Sequence, residues 1–283
     1  MSTAPSVDSL VDDVTQLVSQ PDIFHKLEEA IEDPNMSLDS VANLLAGDPD
    51  LTLRLLGIAN SCLFGFPAKV ESLDRAITLI GTRQLRDIVL VTVVVRNLRQ
   101  LNVELIDMDQ FWRHSVATGV LARAIAVKRG ESNVERFYAL GLLHDIGKIL
   151  LYLKLPEVMI AVNEQMDSEF SSQFQAERSA LGFDHAELGG ALLESWDLAE
   201  TLHCVIASHH APMADQDWAS DASILHVADV IANAMNWDEC GAKLVPPMES
   251  GSWDCLDLCE SELPEIVERG HEQYKDAVQL MLN

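Results

Sequence analysis

The sequence predicts an all-α protein, and two observations carry the prediction. Apolar residues recur at the spacing of a helix rather than alternating as in a strand. One clear case has the pattern i, i+1, i+4, i+7, i+8 and consists of Ile23, Phe24, Leu27, Ala30 and Ile31. Residues that end and begin helices also stand between the apolar runs. The expected architecture is an N-terminal helical bundle, a second helical bundle and a short acidic C-terminal helical extension.

Several helix boundaries can be placed from capping residues in the first half of the chain. Gly47 is typical of the position just after a helix, and Asp48-Pro49 then offers an N-cap followed by a proline at the first helical position. Asp107 or Asp109 can begin the helix that carries residues 111 to 127. These signals predict a close succession of helices with short connections.

Three further helices are predicted in the second half. Asp184, with Glu187 three residues later, resembles a capping box and opens a helix that runs to about Trp196. A helix over residues 224 to 235 follows from its apolar spacing. A last helix is expected from Glu262 to Leu282, after an irregular acidic stretch that contains prolines and glycines.

The segment from Ile88 to Val95 is ambiguous. It is rich in β-branched residues, which favour a buried strand. Its flanks, Arg83 to Arg86 and Arg96 to Leu101, carry no turn residues. We expect a buried helix here, with the strand as the alternative.

The chain length of 283 residues predicts about two domains. We expect an N-terminal helical subdomain over residues 15–105 and a second helical subdomain over residues 106–236, which contains most of the histidines. An acidic extension over residues 237–283 follows. The boundary between the two subdomains falls near residues 101 to 109.

The formal net charge is −26, from 19 Lys and Arg against 45 Asp and Glu. Nucleic acids and anionic membranes are bound by clustered basic residues that neutralise phosphates. The sequence therefore predicts no nucleic-acid partner and no membrane partner. None of these features predicts an oligomeric state.

The cysteines and the N-terminus predict a cytoplasmic protein. The five cysteines form no CxxC pair, and their odd count favours free thiols in a reducing compartment. The first ten residues lack the basic start and apolar core of a signal peptide. Cys255 and Cys259 have helical i, i+4 spacing, but no other thiol lies near them in the sequence, so we interpret the pair as incidental rather than as a metal site.

The residues that carry chemistry centre on His144-Asp145. This pair is embedded in an apolar, helix-like run from Tyr138 to Leu153. An isolated ionised carboxylate is unfavourable in such a setting unless a proton or a cation neutralises it. A bound metal ion is one such cation, so the pair is the first indication of a metal site.

Two more potential ligands face the core of predicted helices. One helical stripe contains Phe111, His114, Thr118, Leu121 and Ile125, so the histidine in it points inward. Asp229 lies four residues after Leu225 and three before Ala232, on the core side of its helix. Together with His144-Asp145, these residues give two imidazoles and two carboxylates, a donor set that suits a divalent Fe, Mn, Zn or Ni ion.

A second group of histidines can complete another metal site. His185 lies in the first turn of its helix, and His209-His210 precede the helix-stopping Pro212. If Asp145 bridges the two groups, two ions can activate water for phosphoester hydrolysis. In that case Asp145 takes part in catalysis, and Lys148, one turn after His144, meets a phosphate oxygen as a point charge.

Each of these residues also has a structural interpretation. A single histidine on an apolar face is often a core residue, and His209-His210 can complement a helix dipole. Asp229 can pair with His226, and Lys148 can be a solvated charge. The conjunction of so many ligands around one His-Asp pair favours metal binding. The remaining histidines are interpreted as structural or surface residues, with His203 the nearest to a ligand position: His25, His203, His226 and His271.

The order of the ligands resembles the HD superfamily of metal-dependent phosphohydrolases, whose signature is an early His, a His-Asp doublet and a late Asp. His114, His144-Asp145 and Asp229 match that signature in order. The segment HDIGK, followed by His185 and His209-His210, resembles the branch with two-metal sites. The Gly-Tyr-Pro element of the cyclic-dinucleotide phosphodiesterases in that branch is absent, because Ala-Pro-Met-Ala-Asp follows His210. The resemblance therefore implies metal binding and puts that phosphodiesterase activity in doubt.

The first half resembles the N-terminal bundle of HDOD modules, the HD-related output domains of bacterial signalling proteins. The matching residues are Asp48-Pro49, Arg54-Leu55, Ala59-Asn60-Ser61, Phe64-Gly65, Ala76-Ile77, Gly81, Leu85 and Arg86. With the segment Phe183 to Glu187 and the helix ending at Trp196, the resemblance covers roughly residues 15 to 236. Many members of the family look like output or scaffold modules that have lost their catalytic ligands, whereas this chain keeps a nearly full set.

Two functions follow as expectations. The first is a regulatory module whose pocket binds one or two divalent transition metal ions and whose partners are signalling proteins. The alternative is an active metal-dependent phosphohydrolase that acts on a nucleotide or other phosphoester ligand. No basic cluster surrounds the His-Asp motif to attract a multiply charged substrate, which favours the first.

Overall fold

The computed structural model describes residues 5–15, 22–33, 35, 37–169, 172–237 and 245–282. Every regular element within these ranges is a helix, so the predicted all-α class is confirmed. In the same parts of the chain, no helix combines the length and the hydropathy needed to cross a membrane. Residues 238–244, at the start of the predicted acidic extension, lie outside the described residues, and so does Cys240.

Within the described residues, six helices precede residue 100, and we refer to the second to the sixth, which pack on one another, as the first bundle. They are α1 (Val7–Thr15), α2 (Asp22–Glu32), α3 (Leu38–Ala46), α4 (Pro49–Ala59), α5 (Leu73–Ile80) and α6 (Thr82–Leu98). Helices α2 and α4 both pack against α6, and α3 packs against α5. The core of this bundle therefore forms around α6.

The next eight helices of the described ranges are referred to as the second bundle. They are α7 (Met108–Arg129), α8 (Val134–Leu143), α9 (Ile146–Lys154), α10 (Pro156–Glu169), α11 (Gln173–Leu181), α12 (His185–Ser195), α13 (Glu200–Ser208) and α14 (Ala219–Met235). The long helix α7 packs against α8 and α14, and α12 packs against α9 and α13. Helix α1 also packs against α9 and α12, so the first helix of the chain belongs to the second bundle in space.

The C-terminal extension contacts both bundles. It contains α15 (Ser252–Cys255), a 3-10 turn (Glu260–Glu262) and α16 (Leu263–Leu282), which packs along α7 and also against α4. The guanidinium of Arg54 donates to the carbonyl oxygens of Leu280 at 3.2 Å and Met281 at 3.4 Å, and Arg99 donates to that of Leu282 at 2.5 Å. These carbonyls lack partners inside α16 because they lie in its last turn, so the two arginines cap the helix.

The ambiguous segment from Ile88 to Val95 is part of α6, which confirms the helix and excludes the strand. All eight of its side chains are buried. A helix satisfies its backbone hydrogen bonds internally, so it can be surrounded by apolar neighbours on every side. The β-branched residues therefore reflect burial rather than strand geometry.

The predicted N-caps are present, but the capping box expected at the start of α12 is not formed. Asp48 accepts a hydrogen bond from Leu51 N at 3.0 Å, and Asp107 rather than Asp109 caps α7. Asp184 caps α12 as expected, but the Glu187 side chain pairs with Arg178 instead of closing a capping box. An ion pair with a neighbouring helix thus replaces the expected contact with the backbone.

Gly147 lies where α9 and α12 approach each other most closely. A Cβ atom at this position would lie 1.9 Å from the carbonyl oxygen of His185 and 2.9 Å from the backbone nitrogen of Gly189. Both of these are backbone atoms and cannot move aside as a flexible side chain can. The absence of a side chain at Gly147 therefore allows His185, the first residue of α12, to lie this close to α9.

We expect Gly147→Ala to lower the free energy of unfolding by about 1–3 kcal/mol, because α12 must shift to accept the methyl group. Chemical denaturation measures the loss. Gly47→Ala is the control, since Gly47 has φ −64° and its added Cβ meets only the carbonyl oxygen of Leu44, at 3.2 Å. A Gly147→Ala protein as stable as the wild type would contradict the close approach.

Candidate metal centre

His144 and Asp145 lie at a break between α8 and α9. His144 is the residue that ends α8, and Asp145 has φ −102° and ψ 5°. The apolar run from Tyr138 to Leu153 is therefore two helices, where its periodicity predicts one continuous run. The side chains of His144 and Asp145 are 1% and 2% exposed, so this polar pair lies inside the second bundle.

The structure brings the first group of predicted ligands together from α7, the α8–α9 break and α14. His114 Nε2 lies 3.0 Å from Asp229 Oδ1 and 3.9 Å from Asp145 Oδ2. His144 Nε2 lies 3.3 Å from Asp145 Oδ2 and 3.6 Å from Asp229 Oδ1. One ligand atom from each of His114, His144 and Asp229 falls within 4.8 Å of the others, a spacing at which a single cation can be shared.

The second group also converges, beside the first. His185 Nε2 lies 3.1 Å from Asp145 Oδ1 and 2.8 Å from His210 Nε2. The ring centroids of His209 and His210 are 3.9 Å apart, and one ligand atom from each of the three histidines falls within 4.8 Å of the others. Since Asp145 touches the first group with Oδ2 and the second with Oδ1, its carboxylate lies between them.

Hydrogen bonds fix the orientation of three of these rings. His144 and His209 each donate Nδ1–H to the carbonyl oxygen three residues earlier, at 2.8 and 2.7 Å, and His185 donates Nδ1–H to Glu177 Oε2 at 2.6 Å. Nε2 of His144 and Nε2 of His185 are thereby directed toward Asp145, at 3.3 and 3.1 Å, and one ring nitrogen of His209 lies within 4.8 Å of the same carboxylate. Among the described residues, Nε2 of His209 is buried without a hydrogen-bond partner, and Nε2 of His144 faces Asp145 at 3.3 Å and Asp229 at 3.6 Å. A buried imidazole with one nitrogen held and the other free or directed toward carboxylates is the arrangement of metal-ligating histidines, so the residues fit a metal ion.

The carboxylates of the centre remain ionised. Burial tends to raise the pKa of Asp145, but His144 and Lys148 outweigh it and hold that pKa well below the usual range. Burial acts the same way on Asp229, where His114 and His144 keep the pKa well below the usual range. Two negative charges thus persist in a buried pocket and require cations beside them.

The histidines divide into two classes by charge. Burial lowers the pKa of His144 and His185, but neighbouring carboxylates outweigh it and raise both values to about 9. For His144 these carboxylates are those of Asp145 and Asp229. Burial and the nearby charged rings lower the pKa of His209 to about 3, and they lower that of His210 well below its usual range. In the absence of a metal ion, the carboxylates therefore favour the protonated form of His144 and His185, whereas burial favours the neutral form of His209 and His210.

Lys148 closes one side of the centre. Its Nζ donates to Asp145 Oδ2 at 2.6 Å, and its side chain is 21% exposed. Burial tends to lower the pKa of Lys148, but Asp145 outweighs it and raises the value. With the 13% exposed ring of His114, Lys148 lies at the part of the centre that reaches solvent. The lysine is thus an ion-paired residue at the rim rather than a freely solvated charge.

Sequence reasoning missed two residues that support the centre. Glu177 on α11 holds the ring of His185, and the Asn233 side chain donates to Asp229 Oδ1 at 2.9 Å. His226, which the sequence analysis interprets as a structural or surface residue, is buried: its Nδ1 donates to the carbonyl oxygen of His209 at 2.9 Å, and its Nε2 accepts from Glu249 N. Asn233 was detectable, because it lies one helical turn after Asp229. The contact of Glu177 depends on two helices meeting, for which the sequence has no local signal.

The remaining candidate residues lie apart from this centre. His203 is half-buried, with Nδ1 3.6 Å from the sulfur of Cys204. Cys255 is half-buried and Cys259 is exposed. Among the described residues, no group of side chains that could hold a metal ion includes a cysteine or His203.

The chain belongs to the HDOD family, whose domain model matches residues 17–212, so the predicted family is confirmed. A curated relative is a protein of Treponema pallidum (strain Nichols) whose function is uncharacterised. It is 27% identical over 217 residues, which is 76% of this chain. The chain spans 41% of the length of that relative.

Two solved structures share the fold across nearly the whole chain. One is an HDOD domain protein of unknown function from Geobacter sulfurreducens, with a TM-score of 0.77 and 24% identity over 97% of this chain and 98% of that one. The other, from Shewanella amazonensis SB2B, is described provisionally as a phosphohydrolase. It has a TM-score of 0.74 and 24% identity over 96% of this chain and 98% of that one. At this identity the likeness establishes the fold alone, and the chain is an HDOD module of that fold.

Proposed function

We propose that this chain is a regulatory HDOD module that binds one or two divalent transition metal ions in its second bundle. The observation that carries the proposal is the shared orientation of His144, His185 and His209. Each of these rings is held at Nδ1 and presents a ring nitrogen to the buried, ionised carboxylate of Asp145. Packing alone requires no such common direction.

The two ligand groups define two positions for ions. His114, His144, Asp145 and Asp229 would hold the first ion, and His185, His209 and His210, with Asp145 shared, would hold the second. Imidazole and carboxylate donors suit Fe, Mn, Zn or Ni rather than Ca or Mg, which prefer oxygen ligands. A bound ion in such a site supplies Lewis acidity and a water of lowered pKa.

Metal analysis of the purified protein tests this proposal. Protein prepared anaerobically without chelators is expected to contain one or two transition metal ions per chain, measured by mass spectrometry of the metals. The variant His144→Ala is expected to lose at least the ion of the first group. Less than about 0.1 ion per chain in the wild type would refute the metal site, since a structural or catalytic metal is retained at high occupancy.

Metal affinity is expected to rise with pH. The raised pKa values, about 9 for His144 and His185, mean that both rings are protonated at neutral pH in the metal-free centre. A ligating nitrogen must be free of its proton, so each ion displaces one proton. Affinity should therefore increase by up to about tenfold per pH unit for each ion between about pH 7 and pH 9, and level off above.

A competitive titration with a chelating indicator at pH 7, 8 and 9 measures this slope, after correction for the protonation of the indicator itself. Isothermal titration in buffers of different ionisation enthalpy counts the released protons independently. An affinity that is constant across this range would contradict the charge state of the two histidines.

The second candidate function is phosphoester hydrolysis, and Lys148 is the observation that favours it. Its ammonium group lies at the partly exposed rim, 2.6 Å from the carboxylate shared by both ligand groups. There it can bind an oxygen of a phosphoester and orient it toward the centre. The near-complete burial of the other residues favours small phosphoesters over polymers, since His144, Asp145 and His185 are each at most 2% exposed.

A phosphoester screen distinguishes the two functions. Wild-type protein, His144→Ala and Asp145→Ala are compared on nucleotides and simple phosphomonoesters and phosphodiesters with Mn, Fe, Zn or Ni added. Activity that is present in the wild type and absent from both variants supports hydrolysis. Activity that is unchanged in both variants refutes catalysis at this centre, and a metal-loaded protein without activity leaves the regulatory module standing.

A further inference from the structure

Glu177 is a fully buried carboxylate outside the set of residues that face the candidate metal centre. It lies on α11 and is 0% exposed. Its Oε2 accepts two hydrogen bonds from the same residue, one from the backbone nitrogen of His185 at 2.8 Å and one from the ring Nδ1 at 2.6 Å. Its Oε1 accepts from Gln173 Nε2 at 2.8 Å. Each of its oxygens is therefore held by a donor.

The position of these donors explains why a charge is stable here. His185 is the first residue of α12, and its N–H has no partner inside that helix. A carboxylate at a helix N-terminus is stabilised by the helix dipole as well as by the hydrogen bond. The neighbouring N-cap, Asp184, accepts from the next two backbone nitrogens and leaves that of His185 to Glu177. The Glu177 carboxylate thus completes the cap of α12.

The same carboxylate distinguishes His185 from the other held rings. His144 and His209 donate Nδ1–H to neutral backbone carbonyls, whereas His185 donates to a negatively charged side chain. A carboxylate that accepts Nδ1–H from a metal-ligating imidazole fixes the tautomer of the ring. It also makes Nε2 a stronger ligand than a backbone carbonyl in the same position would. Among these three rings, His185 is the one whose Nδ1–H acceptor can be changed by a side-chain substitution.

We propose that Glu177 is the positioning residue of the second metal ion: it holds His185 with Nε2 toward Asp145 and His210 and strengthens that nitrogen as a ligand. This inference rests on the proposed metal-binding function and deepens it. It also separates the two ions, because the hydrogen bonds of Glu177 go to His185 and Gln173, whereas His114, His144 and Asp229 would hold the first ion.

The test is the replacement Glu177→Gln, which keeps the shape of the side chain and removes its charge. We expect the affinity for the second ion to fall by about 10–100-fold and the affinity for the first to stay unchanged. Glu187→Gln is the matched control. It makes the same change of charge on α12, where Glu187 pairs with Arg178 and has a 37% exposed side chain, and it should bind both ions as the wild type does.

Three measurements give the readout. Competitive titration gives the two affinities, and X-ray absorption counts the histidine ligands per metal. In the metal-free protein, ¹⁵N NMR of the His185 ring reports its protonation, which Glu177→Gln should change and Glu187→Gln should not. If Glu177→Gln does not fold, Glu177→Asp is the alternative, because it keeps the charge but shortens the side chain. It too should lower the affinity for the second ion and leave that for the first unchanged.

The outcomes separate the inference from the proposed function. A wild type without metal overturns both. A wild type that binds one ion at the first group leaves the proposed function standing and overturns the role of Glu177. Two ions bound by Glu177→Gln with unchanged affinities, or a loss of the first ion rather than the second, also overturn that role alone.

Discussion

Replacing Asp145 by asparagine is expected to remove both metal ions, leaving less than about 0.1 ion per chain and an affinity lower by at least about 100-fold for each ion. Asp145 is the residue that both ligand groups share: its Oδ2 lies 3.3 Å from His144 Nε2, and its Oδ1 lies 3.1 Å from His185 Nε2. Asparagine has the same shape but no charge. Residues that only support ligands typically change metal affinity by about 10–100-fold when they are replaced. Replacement of a direct ligand should therefore lower the affinity by more than this.

Metal content of the purified variant, with circular dichroism as a check of folding, gives the result. Asp221→Asn is the control, because Asp221 is a 15% exposed carboxylate on α14 that pairs with Arg136 at 2.8 Å and takes no part in the centre. If Asp145→Asn retained one ion per chain, the two ligand groups would bind their ions independently. That result would contradict the proposal that they share the carboxylate of Asp145.

The largest loss of stability is expected from Arg123→Met, which should lower the free energy of unfolding by about 3–5 kcal/mol. Arg123 on α7 and Glu135 on α8 form a buried ion pair, with side chains 6% and 2% exposed and an Nη2–Oε1 distance of 2.9 Å. Burial already raises the pKa of Glu135, and Arg123 opposes that rise. Removal of the arginine leaves a buried carboxylate without its cation.

Chemical denaturation at neutral pH measures this loss. The double variant Arg123→Met with Glu135→Leu should recover most of the stability, since a well-packed apolar pair often replaces a buried ion pair without loss. Arg113→Met is the control: Arg113 and Asp109 are 39% and 55% exposed, and such pairs contribute less than about 1 kcal/mol. A single variant as stable as this control would contradict the role of the buried pair.

Much of the helical architecture could be predicted from the sequence, because the sequence signals for helices are local. The N-caps Asp48, Asp107 and Asp184 act within one turn of their own helices, so a few residues suffice to recognise them. The segment from Ile88 to Val95 required a choice between helix and strand. The absence of turn residues at its flanks was the deciding signal, since β-branched residues are compatible with a helix once they are buried.

The convergence of the candidate ligands followed from helical periodicity in part. His114 and Asp229 were placed on core-facing stripes, and the structure places both beside His144 and Asp145. The break between α8 and α9 was not predicted, because the apolar spacing continues through it. It depends on Asp145 leaving the helical conformation, which no residue type in this segment requires.

The contacts of Glu177 and Arg123 could not be predicted, because they join separate helices. Glu177 meets His185 where α11 and α12 turn back on each other, and Arg123 meets Glu135 across α7 and α8. In the sequence each is an ordinary charged residue on a helix. A pattern within one helix shows which side is buried, but it does not show which neighbour lies opposite.

The shared helix α16 has a thermodynamic consequence. Its end is held by Arg54 and Arg99 at the first bundle, and its length packs on α7 in the second. Neither bundle can lose its packing without exposing the apolar residues of this helix, which include Ile266, Tyr274, Ala277 and Met281. We therefore expect the two bundles to unfold as one cooperative unit. A ligand that stabilises the folded second bundle should then also raise the unfolding temperature of the first, although it makes no contact there.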